Sequence, residues 1–466
     1  MRSRKPNPRS QKLAQPKAPG APSLRLAPGA RVGDEDSTPA GQNLVEIEKP
    51  VYGGAFLARM DGKATFVPLT LPGEQVRIRV TQNKSGYSTA ELTEVLVPSP
   101  LRIRPACPHF GACGGCNYQH AGHETQLVFK QSILRESLER AGVQPPEAIS
   151  ILTADPWAYR NRIRLAFDAA GNPGYRGRRS NVVIPISECP IAAPLLLSAA
   201  QAAAETLQRV PANLRPAELQ LFCNADESAL LVTFFAAGSA GESTKVRLEP
   251  LARALHERFP VLQSAELAAD GRPGHPSRTL DQWGAAFISY SAAGFDYHVD
   301  RGAFFQVNRW LVDALVERVT ADQHGKLAFD LFAGVGLFAR KLTGSFDHVI
   351  AVESASASKA ALEHNLQGTT GEPVHAETLP FLRKRSNEKP DLIVVDPPRF
   401  GLGPEITTLL GEIAAPTLVY VSCDPATLAR DLGALIAAGY QIQSLTLADL
   451  FPQTFHIESV VHLRRP

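Results

Sequence analysis

A cysteine follows an apolar run near the C-terminal end of the sequence, in the stretch SCDPATLAR (residues 422–430). The run before it, APTLVYV, predicts a buried strand, and the Asp-Pro pair after it is typical of a strand that ends and a helix that begins. A thiol in this place is either a packed core residue or a nucleophile at the edge of a sheet. The role of Cys423 therefore depends on which residues lie beside it.

Three more apolar runs carry an acidic residue at or near their ends. They are found in the stretches FDLFAGVGLFAR, HVIAVES and DLIVVDPPR. In an open α/β sheet, ligands bind outside the carboxyl ends of the strands. We therefore expect one edge of the sheet to carry Asp330, Glu353, Asp396 and Cys423.

The first of these stretches runs from a strand through a glycine turn into a helix. Gly334 and Gly336 let the backbone approach a ligand closely, although a full dinucleotide fingerprint has a third glycine where Ala339 stands. Glu353 ends the next strand and suits the two hydroxyls of a ribose, with a helix-capping role as the alternative. The pattern resembles the S-adenosylmethionine-dependent methyltransferases. Asp-Pro-Pro-Arg, where enzymes that methylate exocyclic amines have Asn-Pro-Pro-Tyr, points away from amine chemistry.

Four other cysteines form a second set. Cys107, Cys113 and Cys116 are close together in CPHFGACGGCNYQ, and Cys189 follows in ISECPI. A proline follows the first and the last of them, as it often does beside iron–sulfur ligands. The spacing favours an iron–sulfur cluster, and a four-thiolate zinc site or unliganded thiols are the alternatives. Cys223, in LQLFCNA, fits a plain core thiol.

The elements that must position these residues fall into successive groups. Residues 43–97 show short alternating runs separated by turn signals, which predict a small antiparallel barrel. Strands and Ala-rich helices mix over residues 150–295, and from about residue 300 strand, turn and helix repeat, which predicts a doubly wound α/β sheet. The expected domains are a disordered basic tail (1–40), a small β-barrel (41–100), a central α+β domain (101–295) and a doubly wound, Rossmann-like domain (296–466).

The charge distribution and the cysteine count indicate which classes of protein the sequence fits. The net charge of +2 hides a basic N-terminal segment, since residues 1–31 hold eight Lys and Arg and no acid. Such a tail either contacts phosphates or only solubilises the chain. Six cysteines in 466 residues do not fit a disulfide-stapled secreted protein, and neither a signal peptide nor a membrane-spanning run is present in the sequence. We therefore expect a cytoplasmic protein with reduced thiols.

Over residues 43–466 the chain resembles the RNA 5-methyluridine (uracil-5) methyltransferases, in particular the iron–sulfur-containing 23S rRNA type with a TRAM domain. The motifs that carry the resemblance are the four cysteines, FFQVN (304–308), DLF (330–332), SCDPATLARDL (422–432) and LFPQTFHIESV (450–460). The resemblance implies a TRAM-like, OB-like barrel, S-adenosylmethionine as methyl donor and a [4Fe–4S] cluster of structural role. The implied cluster ligands are Cys107, Cys113, Cys116 and Cys189. The implied contacts with the methyl donor are Gln306, Phe332, Gly334, Glu353 and Asp396.

The same resemblance implies that Cys423 is the nucleophile and Glu458 the base. Carbon 5 of uracil is too weak a nucleophile to attack a sulfonium methyl group, but addition of a thiolate to carbon 6 makes carbon 5 electron-rich. After methylation, a base must remove the hydrogen from carbon 5 before the thiol leaves. The target base must be flipped out or unpaired. Phe304 or Phe305 could stack on it, with core packing as the alternative.

RNA is the expected partner, with rRNA favoured over tRNA, and we expect a monomer with no obligate protein partner. The alternatives are a tRNA uridine-5 methyltransferase, an RNA cytidine-5 methyltransferase and a non-catalytic RNA-binding assembly factor. A basic and aromatic group near the cysteines suits phosphate contacts, with a solvated strand face as the alternative. It consists of Tyr159, Arg160, Arg162, Arg164, Tyr175, Arg176 and Arg178.

Overall fold

The computed structural model of the protein describes residues 43–211, 214–236, 247–269 and 277–466. The expected basic tail, residues 1–40, lies outside these described residues. Within them, no helix has the length and apolar composition needed to cross a membrane.

Five strands at the start of the described chain close into a barrel. They are β1 (Asn43–Val51), β2 (Ala55–Met60), β3 (Lys63–Pro68), β4 (Gln75–Asn83) and β5 (Tyr87–Val97). They follow each other around the barrel in the order β1, β2, β3, β5, β4. The alternating pattern predicted an antiparallel barrel, but β3 and β5 pair in parallel. An odd number of strands cannot alternate in direction around a closed ring, so one neighbouring pair must be parallel.

Two elements link the barrel to the rest of the molecule. They are helix α1 (His123–Arg140) and strand β6 (Ser150–Leu152). One side of α1 carries Leu127, Ile133 and Leu134, which pack into the core of the C-terminal sheet. Phe129, elsewhere on the same helix, packs into the core of the barrel. The helix thus contacts both structures.

The central part of the chain forms a seven-stranded sheet and a hairpin. Its elements are β7 (Arg162–Phe167), β8 (Pro173–Arg176), β9 (Val183–Pro185), α2 (Pro194–Leu207), β10 (Glu218–Cys223), β11 (Leu230–Phe235), α3 (Leu248–Arg258), β12 (Leu262–Ala269), β13 (Arg278–Gly284), β14 (Phe287–Ala292) and β15 (Phe295–Asp300). The sheet has the order β13, β12, β11, β10, β7, β8, β9, and β14 pairs only with β15. The helices α2 and α3 share a core with it. Cys223 is buried in that core, as expected of a plain core thiol.

The C-terminal part alternates strands and helices. Its elements are α4 (Val312–Thr320), β16 (Gly325–Leu331), α5 (Leu337–Leu342), β17 (Phe346–Glu353), α6 (Lys359–Leu366), β18 (Gly371–His375), α7 (Thr378–Lys384), β19 (Leu392–Val395), α8 (Gly403–Ile413), β20 (Thr417–Ser422), α9 (Pro425–Ala437), β21 (Gln441–Ala448) and β22 (Glu458–Arg464). The sheet order is β18, β17, β16, β19, β20, β22, β21, β6. β16 to β20 run parallel, and β22 is antiparallel to β20 and β21.

This large sheet confirms the predicted doubly wound architecture. Successive residues of its strands alternate between two separate cores, as Leu392 and Val394 face one and Ile393 and Val395 face the other. The chain order reverses between β16 and β19, and ligands of open α/β sheets bind at such a switch point. Elements from the expected central range join this domain, because β6 pairs with β21 and the β14–β15 hairpin packs into the same core.

Candidate active site

The large sheet gathers the expected polar residues at one edge. β16, β17, β19 and β20 are parallel neighbours, so their carboxyl ends lie together. Glu458 opens the antiparallel strand β22, whose Ser459 pairs with Ser422 of β20, and it therefore reaches the same edge. The residues that the structure brings to this edge are Asp330, Glu353, Asp396, Cys423 and Glu458.

The glycine turn after β16 is braced by Glu353. One carboxylate oxygen of Glu353 accepts a hydrogen bond of 2.8 Å from the Gly334 N–H, and the other accepts one of 2.6 Å from the Ala355 N–H. Phe332, at the start of the turn, has a left-handed backbone with φ of 66°. A carboxylate has about four acceptor positions, so Glu353 keeps lone pairs for hydroxyl groups of a ligand. The predicted ribose contact and the capping alternative are thus compatible.

The segment before α4 lies beside this turn. Gln306 is buried there, and its backbone carbonyl accepts a hydrogen bond of 3.0 Å from the Asn161 side chain. Phe305 is buried in the same core cluster as Ala333 of the glycine turn. Phe304, by contrast, is 62% exposed. Of the two phenylalanines, only Phe304 is therefore free to stack on a base.

Two buried carboxyl groups lie beneath the edge. Asp330 is fully buried, and one of its oxygens accepts a hydrogen bond of 2.8 Å from the Ala339 N–H. Its other oxygen has no hydrogen-bond partner among the described residues. Burial raises the pKa of Asp330 to about 8, and the negative charge of Asp396 contributes to the shift. Burial also raises the pKa of Asp396 to about 7. Asp330 is therefore largely uncharged at neutral pH.

Cys423 lies in the short turn between β20 and α9. The side chain of Asp424 caps α9, accepting hydrogen bonds of 3.0 Å from the Ala426 and Thr427 N–H groups. The Asp-Pro pair therefore stops the strand and starts the helix, as the sequence predicted. Burial, with the negative charge of Glu458, raises the pKa of the Cys423 thiol to about 12. The thiol is thus protonated at neutral pH in the absence of substrate.

Glu458 is the candidate proton acceptor of this site. It is almost fully buried, and it pairs with Ala448 of β21 on the side away from β20. Burial and the neighbouring Asp396 raise the pKa of Glu458 well above its usual range. A carboxylate whose pKa is raised is a stronger base than an ordinary one, which suits it to accept a proton.

Arg399 is the charged residue of the site that the sequence patterns did not single out. Its guanidinium donates a hydrogen bond of 3.0 Å to His456 Nδ1. Burial and the positive charge of Arg399 lower the pKa of His456 to about 4, so the imidazole is neutral and its Nδ1 can accept. The same guanidinium opposes the rise in the pKa of both Cys423 and Glu458. The only sequence signal was the arginine three residues after Asp396.

A buried ion pair supports the loop between β21 and β22. Lys130 of α1 donates 2.6 and 2.9 Å hydrogen bonds to the Asp449 carboxylate and the Phe451 carbonyl. His123 lies 2.7 Å from the other oxygen of Asp449. The loop therefore depends on a helix that is far away in sequence, and no local pattern identified this support.

The four cysteines lie apart from this edge and close to one another. Burial raises the pKa of all four thiols, to about 12 for Cys116. For Cys107, Cys113 and Cys116 the neighbouring thiols add to the shift. Thiols that raise each other's pKa cannot all ionise unless a positive group binds between them.

Hydrogen-bond donors surround these sulfur atoms. The Gly115 N–H donates to Cys113 Sγ over 3.4 Å, and the Tyr175 hydroxyl faces Cys189. The side chain of Gln119 faces Cys116, and its buried amide nitrogen has no other partner in the described part of the chain. Among the described residues, no group of three or more His, Cys, Asp or Glu side chains is arranged to bind one metal ion directly. The ligand set therefore stays a prediction.

Several members of the expected phosphate-binding group have partners within the protein. Arg164 and Arg176 both form ion pairs with Glu218, with distances of 2.5 and 2.7 Å. Arg162 reaches inward and donates a hydrogen bond of 2.7 Å to the Ala303 carbonyl. Tyr159 is fully buried. Arg164 and Arg176 thus pair across the sheet while their side chains stay partly exposed, so phosphate contact by this group stays a prediction.

Comparisons with known proteins assign the family. Residues 384–466 match the family model described as tRNA (Uracil-5-)-methyltransferase, and residues 43–93 match the TRAM domain. An uncharacterized RNA methyltransferase of Streptomyces avermitilis is 34% identical over 444 residues, covering 90% of this chain and 97% of the relative. The 23S rRNA (uracil(1939)-C(5))-methyltransferase RlmD of Halomonas elongata is 30% identical over 450 residues, covering 91% of this chain and 90% of the relative.

A solved structure has the same fold. The tRNA (uracil-54, C5)-methyltransferase of Pyrococcus abyssi, in complex with S-adenosyl-L-homocysteine, aligns with a TM-score of 0.71 at 24% identity. The alignment covers 91% of this chain and all of that protein. The chain therefore belongs to the TRAM-containing family of S-adenosylmethionine-dependent RNA uracil-5 methyltransferases.

Proposed function

We propose that this chain methylates carbon 5 of a uridine in 23S rRNA through a covalent adduct between Cys423 and the uracil ring, with Glu458 as the base. The observation that carries this proposal is the meeting of Cys423 and Glu458 at one sheet edge, where their charges interact and Arg399 opposes the shift of both pKa values. Asp396 borders the same site.

The first step is addition of the thiolate. The Cys423 thiol first loses its proton to solvent; the thiolate sulfur then forms a bond to carbon 6, and the electron pair of the 5,6 double bond moves to carbon 5 and the carbonyl oxygen at carbon 4. The thiol pKa of about 12 must be overcome for this step. Arg399 favours the thiolate, and its guanidinium is a suitable donor for the developing oxyanion. When bound, S-adenosylmethionine supplies the methyl group on a positively charged sulfur.

The last step re-forms the 5,6 double bond and releases the Cys423 thiolate, which regains a proton from solvent. Carbon 5 then carries both a methyl group and a hydrogen, and Glu458 removes the hydrogen as a proton. The released electron pair re-forms the double bond, and the bond between carbon 6 and sulfur breaks. Because the pKa of Glu458 is raised well above its usual range, its carboxylate is a stronger base than an exposed one.

We propose that Gln306, Phe332, Gly334, Glu353 and Asp396 hold the methyl donor. Glu353 has free acceptor positions for ribose hydroxyls, and Gly334 belongs to the turn that this carboxylate braces. Gln306 follows Phe305, whose ring centroid lies 6.3 Å from that of Tyr297, and the Tyr297 hydroxyl donates a hydrogen bond to the carbonyl of Leu337 just after the turn. Substituting Glu353 by Ala should therefore weaken binding of S-adenosylhomocysteine, which titration calorimetry measures.

We further propose that Cys107, Cys113, Cys116 and Cys189 hold a [4Fe–4S] cluster. The set is supported by four neighbouring, partly buried thiols and by the donors that face them, which would stabilise thiolates. Bound, such a cluster would cross-link the two cysteine-bearing segments. Anaerobic reconstitution, iron and sulfide analysis, and visible absorption test this, and zinc in place of iron would contradict it.

Ribosomal RNA is the proposed substrate because relatives named as 23S rRNA enzymes match this chain over nearly its whole length. The deciding experiment compares total RNA from cells with and without the gene. Loss of one 5-methyluridine from 23S rRNA is expected. Loss from tRNA would identify a tRNA enzyme, loss of 5-methylcytidine would identify a cytidine enzyme, and no loss at all would favour a non-catalytic assembly factor.

Covalent chemistry can be tested separately with RNA that contains 5-fluorouridine. Fluorine at carbon 5 cannot leave as a proton, so the adduct should accumulate and survive denaturing electrophoresis. Wild-type protein with S-adenosylmethionine should give a protein–RNA band. Peptide mapping that placed the link on a residue other than Cys423 would overturn the proposed mechanism.

A further inference from the structure

The turn between β1 and β2 of the barrel reaches the catalytic edge. Tyr52 lies in this turn, followed by two glycines with positive φ angles of 97° and 82°. Its hydroxyl donates a hydrogen bond of 3.4 Å to the backbone carbonyl of Cys423, 371 residues away in the chain. The barrel therefore contacts the main chain of the proposed nucleophile itself.

The hydroxyl of Tyr52 is held as a donor. Burial, with the negative charge of Asp424, raises the pKa of Tyr52 above its usual range, so the group stays protonated at every pH at which the protein functions. Asp424 is the residue that caps α9. The donor thus lies at the junction of strand and helix that sets the direction of the Cys423 side chain.

The ring of Tyr52 contacts the other side of the site. It packs edge-on against Phe455, with ring centroids 5.7 Å apart and an angle of 82° between the rings. Phe455 lies 4.3 Å from the His456 ring, and His456 accepts the hydrogen bond from Arg399. Tyr52 therefore contacts both the turn that contains Cys423 and the aromatic residues that precede Glu458.

The barrel is fixed firmly enough for such a contact to have a defined geometry. Gly54 is buried, and a side chain there would meet Asn117 at 3.1 Å, so the turn lies directly on the segment after Cys116. Lys49 of β1 forms an ion pair of 2.7 Å with Glu136 of α1. Phe56 packs edge-on against Phe129 of the same helix, with centroids 5.6 Å apart. The turn cannot move without disturbing these contacts.

We infer that the barrel supplies Tyr52 as a positioning residue for methyl transfer, holding the Cys423 main chain through its hydroxyl and the Phe455–His456 pair through its ring. The inference rests on the proposed role of Cys423 as nucleophile. It assigns the barrel a part in the chemical step, in addition to any RNA contact that its outer surface makes. A domain that only tethered RNA would need no side chain at this junction.

The test compares Tyr52→Phe with Tyr87→Phe, a matched change in the same barrel. Tyr87 packs against Phe66 and Lys84 of the barrel. The readouts are the rate of adduct formation with 5-fluorouridine RNA at saturating RNA and S-adenosylmethionine, and separately the Kd for RNA. Loss of one hydrogen bond, commonly about 0.5–1.5 kcal/mol, predicts that Tyr52→Phe slows adduct formation by about 2- to 10-fold. Its Kd for RNA and the rate of Tyr87→Phe should stay at wild-type values.

Tyr52→Ala removes the ring as well and should slow the same step by more than Tyr52→Phe does. Equal saturating rates for wild type and Tyr52→Phe would overturn the inference, and so would a weaker Kd with an unchanged rate, which would make Tyr52 an RNA contact. Circular dichroism verifies that each variant is folded. A Cys423→Ala arm keeps the two proposals distinguishable, because an adduct in that variant would refute the nucleophile assignment itself.

Discussion

Apart from the core thiol Cys223, the cysteines lie in two regions whose surroundings differ. At the sheet edge, Cys423 is a single thiol beside the carboxyl of Glu458 and the guanidinium of Arg399. In the four-cysteine set (Cys107, Cys113, Cys116 and Cys189), the thiols neighbour each other and face N–H and O–H donors. Burial raises the thiol pKa in both regions. The neighbours therefore separate the two functions, since a lone thiol with a base suits addition to a substrate, whereas grouped thiols suit a shared positive centre.

The two regions are also joined through the backbone. The N–H groups of Asn117 and Tyr118, which directly follow Cys116, donate hydrogen bonds of 2.9 and 3.0 Å to the carbonyl of Gln453. Gln453 has a left-handed backbone with φ of 67° and lies in the loop that leads to Glu458. A variant in one region can thus disturb the other, so each test needs a separate readout for each region.

The largest contrast is expected between Cys423→Ala and Cys116→Ala. Cys423→Ala should abolish both methyl transfer and adduct formation because no other group can add to carbon 6, and it should leave bound iron at the wild-type level. Cys116→Ala should lose iron because a cluster ligand is missing. Iron analysis and adduct electrophoresis on the same preparations measure both. Equal iron contents in the two variants would contradict the assignment of Cys116 as a cluster ligand.

Glu458→Gln should separate the two halves of the reaction. The amide cannot accept the proton from carbon 5, so turnover should fall by about 10²- to 10⁴-fold, the usual contribution of a general base. Adduct with ordinary uridine RNA should accumulate, since addition and methylation precede the lost step. Denaturing electrophoresis after single-turnover mixing detects it. Release of product at the wild-type rate would mean that another residue is the base.

The positions along the sheet edge were predictable from the sequence. Apolar runs mark the strands, and parallel neighbours share an edge, so the placement of Glu353, Asp396 and Cys423 followed from where the runs end. Glu458 was identified by the family resemblance instead, because it begins an antiparallel strand and no local pattern marks it. The fold was predictable for the same reason, since the repeat of strand and helix leaves few topologies.

The supports of the site could not be predicted in this way. Lys130 lies in a helix 319 residues before its partner Asp449, and Tyr52 lies 371 residues before Cys423. Arg162 and Arg164 were interpreted as RNA contacts because an arginine has the same identity whether it is exposed or paired. Contacts of this kind depend on how domains pack, and the sequence periods that reveal strands and helices carry no information about them.

Replacing Lys130 by Met should destabilise the loop that leads to Glu458. The substitution leaves the Asp449 carboxylate buried without its main partner, which commonly costs about 3–5 kcal/mol in unfolding free energy. The remaining His123 contact should keep the loss near the lower value. Denaturant unfolding measures it, with Lys326→Met, an exposed lysine, as the control expected within about 0.5 kcal/mol of wild type. A loss as small as that of the control would show that the loop before Glu458 does not depend on α1.

The smallest effect concerns Arg399, the guanidinium whose positive charge acts on Cys423. Arg399 opposes the rise in the Cys423 pKa, so Arg399→Gln should raise that pKa further. Below a thiol pKa of about 12 the thiolate fraction grows about tenfold per pH unit, and adduct formation should therefore rise with pH for both proteins.

At each pH the variant should be slower by the same factor, about 10-fold if the shift is one pKa unit. Rates of adduct formation with saturating 5-fluorouridine RNA between about pH 7 and pH 9 give two parallel lines if the guanidinium acts through the thiol. Coincident lines would show that Arg399 does not tune Cys423.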